Sequence, residues 1–331
     1  MDEEGRITAF WQWWSQHEQG LAALLDADPG QPGRRALDAQ LGEQLNELDP
    51  SLNYRIDPGV GRSQRTLTIT AHGQGLLLAL ARRVRAAAPP PSRRWSYSNF
   101  VLPVADLSET TLTVAHRELR LADTRVELGD AARKVNATVW HPEFAHFPHA
   151  EERYALACSI MESTLGEESF LCWINELTAP EVQPPQWSGL HDLRELVNDV
   201  RARFLVGLPG MNHWAQLEGT RYDGAHVHAR VTVPLCPARA PLLEKVVTIR
   251  LHLEDPAGSP HADGLEERIV QAIGFDGELV AVETVGDVRT WYCYVLPESG
   301  AVQRLMALAR EEELPAEAAK DPTWQVVSHL S

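Results

Sequence analysis

The sequence predicts an α+β protein of two domains, built from antiparallel sheets with helices packed on one face. Three observations carry that prediction. The chain of 331 residues is too long for one small core. Two β-type runs, Leu279-Val280-Ala281-Val282 and Trp291-Tyr292-Cys293-Tyr294-Val295, meet at Val285-Gly286-Asp287. Segments of helical and of strand period alternate on both sides of that hairpin.

Taking the C-terminal part first, both hairpin runs are rich in β-branched or aromatic residues that fit a pleated surface. Gly286-Asp287 supplies the tight reversal. Apolar residues occur at both parities, so both faces are expected to be at least partly covered. Val246–Leu253 reads as a strand. Asp263 can cap a helix to Ile273 with Leu265, Ile269, Ala272 and Ile273 on one face. Ser299 can cap a second helix carrying Val302, Leu305, Met306 and Ala309, and Trp324–Val327 reads as the last strand. The order is β-α-β-β-α-β, the split ferredoxin-like unit, in which two helices and a four-stranded sheet bury one core. Trp214–Tyr222, Asp223-Gly224 and Ala225–Val233 form a preceding hairpin, linked by Pro234, Pro237 and Pro241. The domain boundary is expected at Leu208-Pro209-Gly210, giving domains 1–207 and 208–331.

The first domain opens with a helix over 6–25, where Ile7, Phe10, Trp11, Trp14, Leu21, Leu24 and Leu25 share one side. A core-facing helix explains that stripe better than a docking surface does. Trp13 lies off it and is kept as a candidate contact. After the breakers Asp28–Gly33, Leu37, Leu41, Leu45 and Leu48 mark a second helix ended by Pro50. Strands are expected at Asn53–Ile56 and Thr66–Thr70, then a helix from Leu76 to Ala87 stopped by Pro89-Pro90-Pro91. Further strands read at Trp95–Val104, Thr111–Ala115, Arg125–Leu128, Val135–Trp140 and Phe170–Leu177. Helices read at Glu151–Leu165 and Leu190–Phe204.

With 30 Lys and Arg against 46 Asp and Glu, the formal net charge is -16. Such a surface repels nucleic-acid phosphates and disfavours them as partners, though a local basic patch inside the acidic whole stays compatible. No apolar run approaches the roughly 20 residues of a membrane span, and Met1-Asp2-Glu3-Glu4 is no basic leader. The expectation is a cytoplasmic protein without membrane contact. Cys158, Cys172, Cys236 and Cys293 make no C-x-x-C and are expected as buried thiols.

The chemistry-bearing residues form no catalytic set. His141, His146 and His149 with Glu143 could supply metal ligands, but two prolines break the segment, and a solvated loop explains it better. His226 and His228 share a strand face by period two and could hold a metal if a third ligand arrived; His213 is near in sequence. An exposed strand face explains that pair without a metal and is the preferred reading. There is no G-x-S-x-G elbow and no phosphate-cradling P-loop. His72-Gly73-Gln74-Gly75 reads as a strand-to-helix turn, and Gly59-x-Gly61 is too short to imply a nucleotide. Glu266-Glu267 and Glu311-Glu312-Glu313 read as solvated helix ends, the latter a candidate docking patch for a basic partner. Tyr292 and Tyr294 would share one sheet face, as the stacking residues of an RNA-recognition domain do, but no Lys/Arg-Gly-aromatic pattern accompanies them. No cofactor is nominated.

Residues from Trp214 onward resemble the bacterial family called "domain of unknown function 695". The resemblance rests on Trp214 with the Asp223-Gly224 hairpin, the strand Val247–Leu253, Asp263-Gly264-Leu265, Thr290–Val295, and Asp321-Pro322-x-Trp324. The same segment is similar, more distantly, to the regulator of ribonuclease E activity B, a small acidic inhibitor. Residues 6 to about 205 resemble the region found before that domain in bacterial proteins. The resemblance implies no catalytic residues. With the acidic surface and the absence of a catalytic set, it leads to the expectation of a non-catalytic, inhibitor-like protein whose partner is another protein; read from the residues alone, Tyr292, Tyr294, Glu311, Glu312, Glu313 and Trp13 are the candidate contacts. Two alternatives stand beside it: a metal-dependent hydrolase using His226 and His228, and an immunity protein against a toxin nuclease.

Overall fold

The computed structural model describes residues 2–26, 32–114, 116–204, 213–220, 224–254 and 260–331, the side chains of residues 24, 26 and 32–38 excepted. It is an α+β protein that divides into two compact units, Met1–Pro103 and Val104–Ser331. The expected boundary at 207/208 lies outside the described residues. Segments on both sides of it belong to the second unit, tied by Arg133 donating to the Leu330 carbonyl (3.0 Å) and Cys236 to that of Leu171 (3.5 Å).

In the first unit, α1 (Glu3–Asp26) and α2 (Pro32–Leu48) precede β1 (Asn53–Pro58), β2 (Arg65–Thr70), α3 (Leu78–Ala86) and β3 (Trp95–Ser98). The sheet runs β1-β2-β3, antiparallel then parallel, so α3 is the crossover between two parallel strands. The stripe of α1 is core, as its period implies. Phe10, Trp11 and Trp14 are buried, Trp14 packs edge-on against Trp95 (4.9 Å), and its indole N–H donates to the Tyr97 hydroxyl (3.0 Å). Residues 99–104, expected in the third strand, leave it because the Ser98 hydroxyl folds the chain back, accepting from Phe100 N and donating to Phe100 O.

The second unit begins with the hairpin β4 (Thr111–Val114) and β5 (Arg117–Arg120); Ala115, expected in the first of these strands, lies outside the described residues. A sheet of β6 (Arg125–Asp130), β7 (Val135–Trp140) and β8 (Ile174–Thr178) follows, with helices α4 (Ala150–Leu165), α5 (Glu167–Trp173) and α6 (Leu190–Arg203). β7 and β8 pair parallel, as β2 and β3 do, so these two sheets are mixed where antiparallel ones were expected, because a helical crossover joins each parallel pair. The strand expected at Phe170–Leu177 is therefore half helix. Gly166, at φ 79, ends α4, and Glu167 and Glu168 sit in the first turn of α5, where the helix dipole favours carboxylates.

The largest sheet contains β9 (Trp214–Thr220), β10 (His226–Thr232), β11 (Lys245–His252), β12 (Gly277–Val285), β13 (Val288–Val295) and β14 (Ala316–Lys320), with α7 (Pro260–Ile273) and α8 (Ala301–Glu311) between strands. Its order is β14-β11-β13-β12-β10-β9, all antiparallel. Gly286 and Gly224 take positive φ in the two hairpin turns; Asp223 and Tyr222 lie outside the described residues.

Each face of this sheet buries its own core, where one core was expected. Val247, Ile249, Trp291, Cys293 and Val295 pack under α7 and α8. Val246, Tyr292 and Tyr294 pack on the opposite face with Leu235, Leu243, Trp324, Val327 and Leu330. That second cover also corrects the expected last strand. Trp324–Val327 is not extended: residues Gln325–Leu330 form a 3₁₀ turn. The Asp321 carboxylate accepts from Gln325 N (2.8 Å), Val326 N (2.9 Å) and the Tyr294 hydroxyl (2.5 Å), and Trp324 stands at φ 54. Those bonds hold the backbone in a turn, and the edge position falls to Ala316–Lys320 against β11.

Candidate functional site

The residues nominated from sequence do not converge. Tyr292 is 8% exposed and Tyr294 0%, so neither presents a docking or stacking face. The Tyr292 hydroxyl donates to Glu283 (2.8 Å), and burial together with its bond to Asp321 drives the Tyr294 pKa far above the usual phenol value. Parity placed both rings on one face correctly; that the C-terminal turn covers this face was not visible. Glu311 and Glu312 both pair with Arg268 of α7, whose single positive charge offsets one of the patch's three carboxylates, whereas Glu313 remains exposed at φ 55. Trp13 is half-buried and stacks on His17 (4.8 Å, 20°).

His226 and His228 do project together from β10 into solvent. His228 stands 3.7 Å from Glu218, opposite it on β9. His213 sits beyond the far end of the hairpin, about 17 Å along the strand. Among the described residues no three His, Cys, Asp or Glu are grouped to hold a metal. The expected loop of scattered imidazoles at 141–149 is partly ordered. His141 is buried; its Nδ1 accepts from Glu143 N (3.1 Å), opening a 3₁₀ turn, and its Nε2–H donates to Arg120 O (3.1 Å). Burial lowers its pKa.

Two clefts stand out instead. The first, about 390 Å³, lies beside α7 on the β10–β12–β13 half of the large sheet. Strand register builds it in two rows: His228, Thr284 and Arg289, then Arg230, Val282 and Trp291. Asp263, Glu266 and Glu267 face them from α7. The charges are cross-tied. Arg230 pairs with Glu266, which also accepts the buried Trp291 indole N–H (3.1 Å), and the Arg230 guanidinium lies 5.0 Å over the Trp214 ring. Arg289 donates to Thr284 (3.2 Å) and stands 3.8 Å from Asp263.

The second cleft, about 660 Å³, belongs to the first unit and is lined by Arg62, Arg85 and Arg93 with Thr66, Ser96 and Tyr97. Reading the sequence by motif missed it, because its arginines follow no short spacing. One signal was there: residues 58–105 hold seven arginines and no Asp or Glu, inside a chain of net charge -16. Comparison with protein-family models, curated proteins and solved structures finds no match for this chain.

Proposed function

We propose that this chain acts by binding another protein rather than by catalysis, and that the mixed-charge cleft beside α7 is part of the surface it uses. The carrying observation is how the cleft holds its ionisable groups. The side chains of Asp263 and His228 are 81% and 55% exposed, while Glu266, at 21%, is already committed to Arg230 and Trp291. General acid–base work and charge stabilisation draw their strength from sites closed to water. Exposed charges of both signs on a rigid sheet suit instead the polar rim of a protein contact, where they select the partner and its orientation.

The C-terminal segment supports the same reading. Its β-α-β-β-α-β succession with the strand order β14-β11-β13-β12 supports reading it as a ferredoxin-like unit extended by the β9–β10 hairpin. The resemblance to domain of unknown function 695 and to the regulator of ribonuclease E activity B remains part of the proposal. Its motif residues have structural work to do, Asp321 and Trp324 closing the second core and Thr290–Val295 forming the sheet's middle. Four free thiols suit the cytoplasm, and no helix among the described residues is long and apolar enough to cross a membrane.

The test is a pull-down with the full chain beside a His228→Ala/Arg289→Ala variant. A stoichiometric protein partner captured by the native chain and lost from the variant is the expected result. No such partner, or equal capture by both, overturns the reading. Near-stoichiometric zinc in the purified native chain, lost with His226→Ala/His228→Ala, would favour the metal-dependent hydrolase alternative instead.

A further inference from the structure

We propose that the arginine-lined cleft of the first unit binds a small molecule carrying a diphosphate or longer polyphosphate group. Three guanidinium-bearing residues, Arg62, Arg85 and Arg93, line one concavity of about 660 Å³. Among the described residues none of the three forms an ion pair with a carboxylate, whereas their neighbour Arg83 is taken by Glu3 (2.5 Å). Like charges gathered without counter-charge cost free energy, and an anion of matching multiplicity recovers it. Arg85 is the sharpest case. It is half-buried on the last turn of α3, and burial with the adjacent Arg82 guanidinium pushes its pKa below the ordinary value.

The cleft is also held in shape. Gln64 N donates to Arg93 O (2.9 Å) and Arg65 N to Arg94 O (2.9 Å), fixing the loop that bears Arg62 against the segment that bears Arg93. Pro89-Pro90-Pro91 limits the approach to that segment. Gly59 lies so close to the loop's return that a Cβ there would stand 2.0 Å from the Ser63 carbonyl oxygen. On the floor, Thr66 and Ser96 hydroxyls are bonded to each other at 2.7 Å, a polar wall without negative charge.

Size and chemistry choose among anions. The planar guanidinium fork matches phosphate oxygens two at a time, and three forks exceed what one orthophosphate needs. The volume is that of a small-molecule pocket. An extended nucleic acid is disfavoured because Trp95 is fully buried and Tyr97, at the cleft wall, is only 6% exposed, so neither ring offers a stacking platform. The overall charge of -16 also repels a long polyanion at a distance.

Calorimetric titration of the full chain at low salt tests this, with orthophosphate, pyrophosphate, tripolyphosphate and a single-stranded oligoribonucleotide as separate titrants. The expected result is saturable one-site binding of pyrophosphate and tripolyphosphate, tighter than orthophosphate. Binding should weaken on the order of tenfold in Arg85→Gln and in Arg93→Gln, fade with added salt, and stay unchanged in Arg289→Gln of the other cleft. If Arg85→Gln does not fold, Arg62→Gln, whose side chain stands in solvent, carries the same test. No saturable pyrophosphate binding, equal binding by the variants, or an oligoribonucleotide that binds more tightly and is lost in the same variants would each overturn the proposal. None of these outcomes touches the protein-binding role of the α7 cleft, since the titrants bear on the first unit alone.

Discussion

The two clefts spend charge in opposite ways. Beside α7, Arg230 and Arg289 find Glu266 and Asp263 within the fold, so its arginines are paired while Asp263 and His228 stay open to solvent. In the first unit, Arg62, Arg85 and Arg93 meet no carboxylate partner among the described residues. A paired network holds its elements together and offers a partner charges of both signs, while unpaired like charges favour a ligand of opposite sign. The difference teaches that the fraction of charged residues says little about a site, and that the pairing says more.

The largest expected effect comes from breaking the satisfied side. Glu266→Ala leaves the Trp291 indole N–H without its acceptor in a fully buried position and strands Arg230 beside it. The loss is expected at about 2 kcal/mol of unfolding free energy, read by denaturant unfolding followed through tryptophan fluorescence. A loss within error of zero would mean the α7 cleft is not built on this network.

A buried group that titrates sharpens the comparison next. His141 is lowered from its ordinary pKa by burial, so the unfolded chain binds the proton more readily than the folded one. Stability is then full above the unfolded value near 6.5 and declines as pH falls below it. Its Nδ1 already accepts from Glu143 N, so the second proton has no acceptor there. His141→Asn should flatten the slope of stability against pH between neutral and mildly acidic; an unchanged slope would assign the dependence elsewhere.

The smallest effect is expected on the unsatisfied side. Arg85→Gln removes repulsion with Arg82 and breaks no ion pair among the described residues, so thermal unfolding should change by no more than about 0.5 kcal/mol in either direction. A cost as large as that of Glu266→Ala would erase the distinction between the clefts.

How far the chain could be read from its letters differs element by element. The stripe of α1 was legible because Phe10, Trp11 and Trp14 recur at helical spacing, and it even set Trp13 apart. The β12–β13 hairpin was legible because Gly286 admits the positive φ its turn requires. Ala316–Lys320 was not, since alanine and glutamate carry little strand preference; that segment is extended because β11 offers it an open edge. Tyr292 and Tyr294 were placed on one face by parity, yet their burial depends on Trp324, Val327 and Leu330 from another part of the chain. The arginine cleft shows the same limit, because the β2–α3–β3 crossover brings Arg62, Arg85 and Arg93 together across some thirty residues of chain.

By itself the sequence determined the class of fold, the order of most helices and strands, the acidic surface and the scarcity of catalytic motifs, because these follow from composition and from periods of two and 3.6 residues. Only the tertiary structure decided what covers the second face of the large sheet, where the last strand lies, and which charges have partners. Those outcomes depend on contacts between residues distant in the chain, and local pattern carries no record of who meets whom.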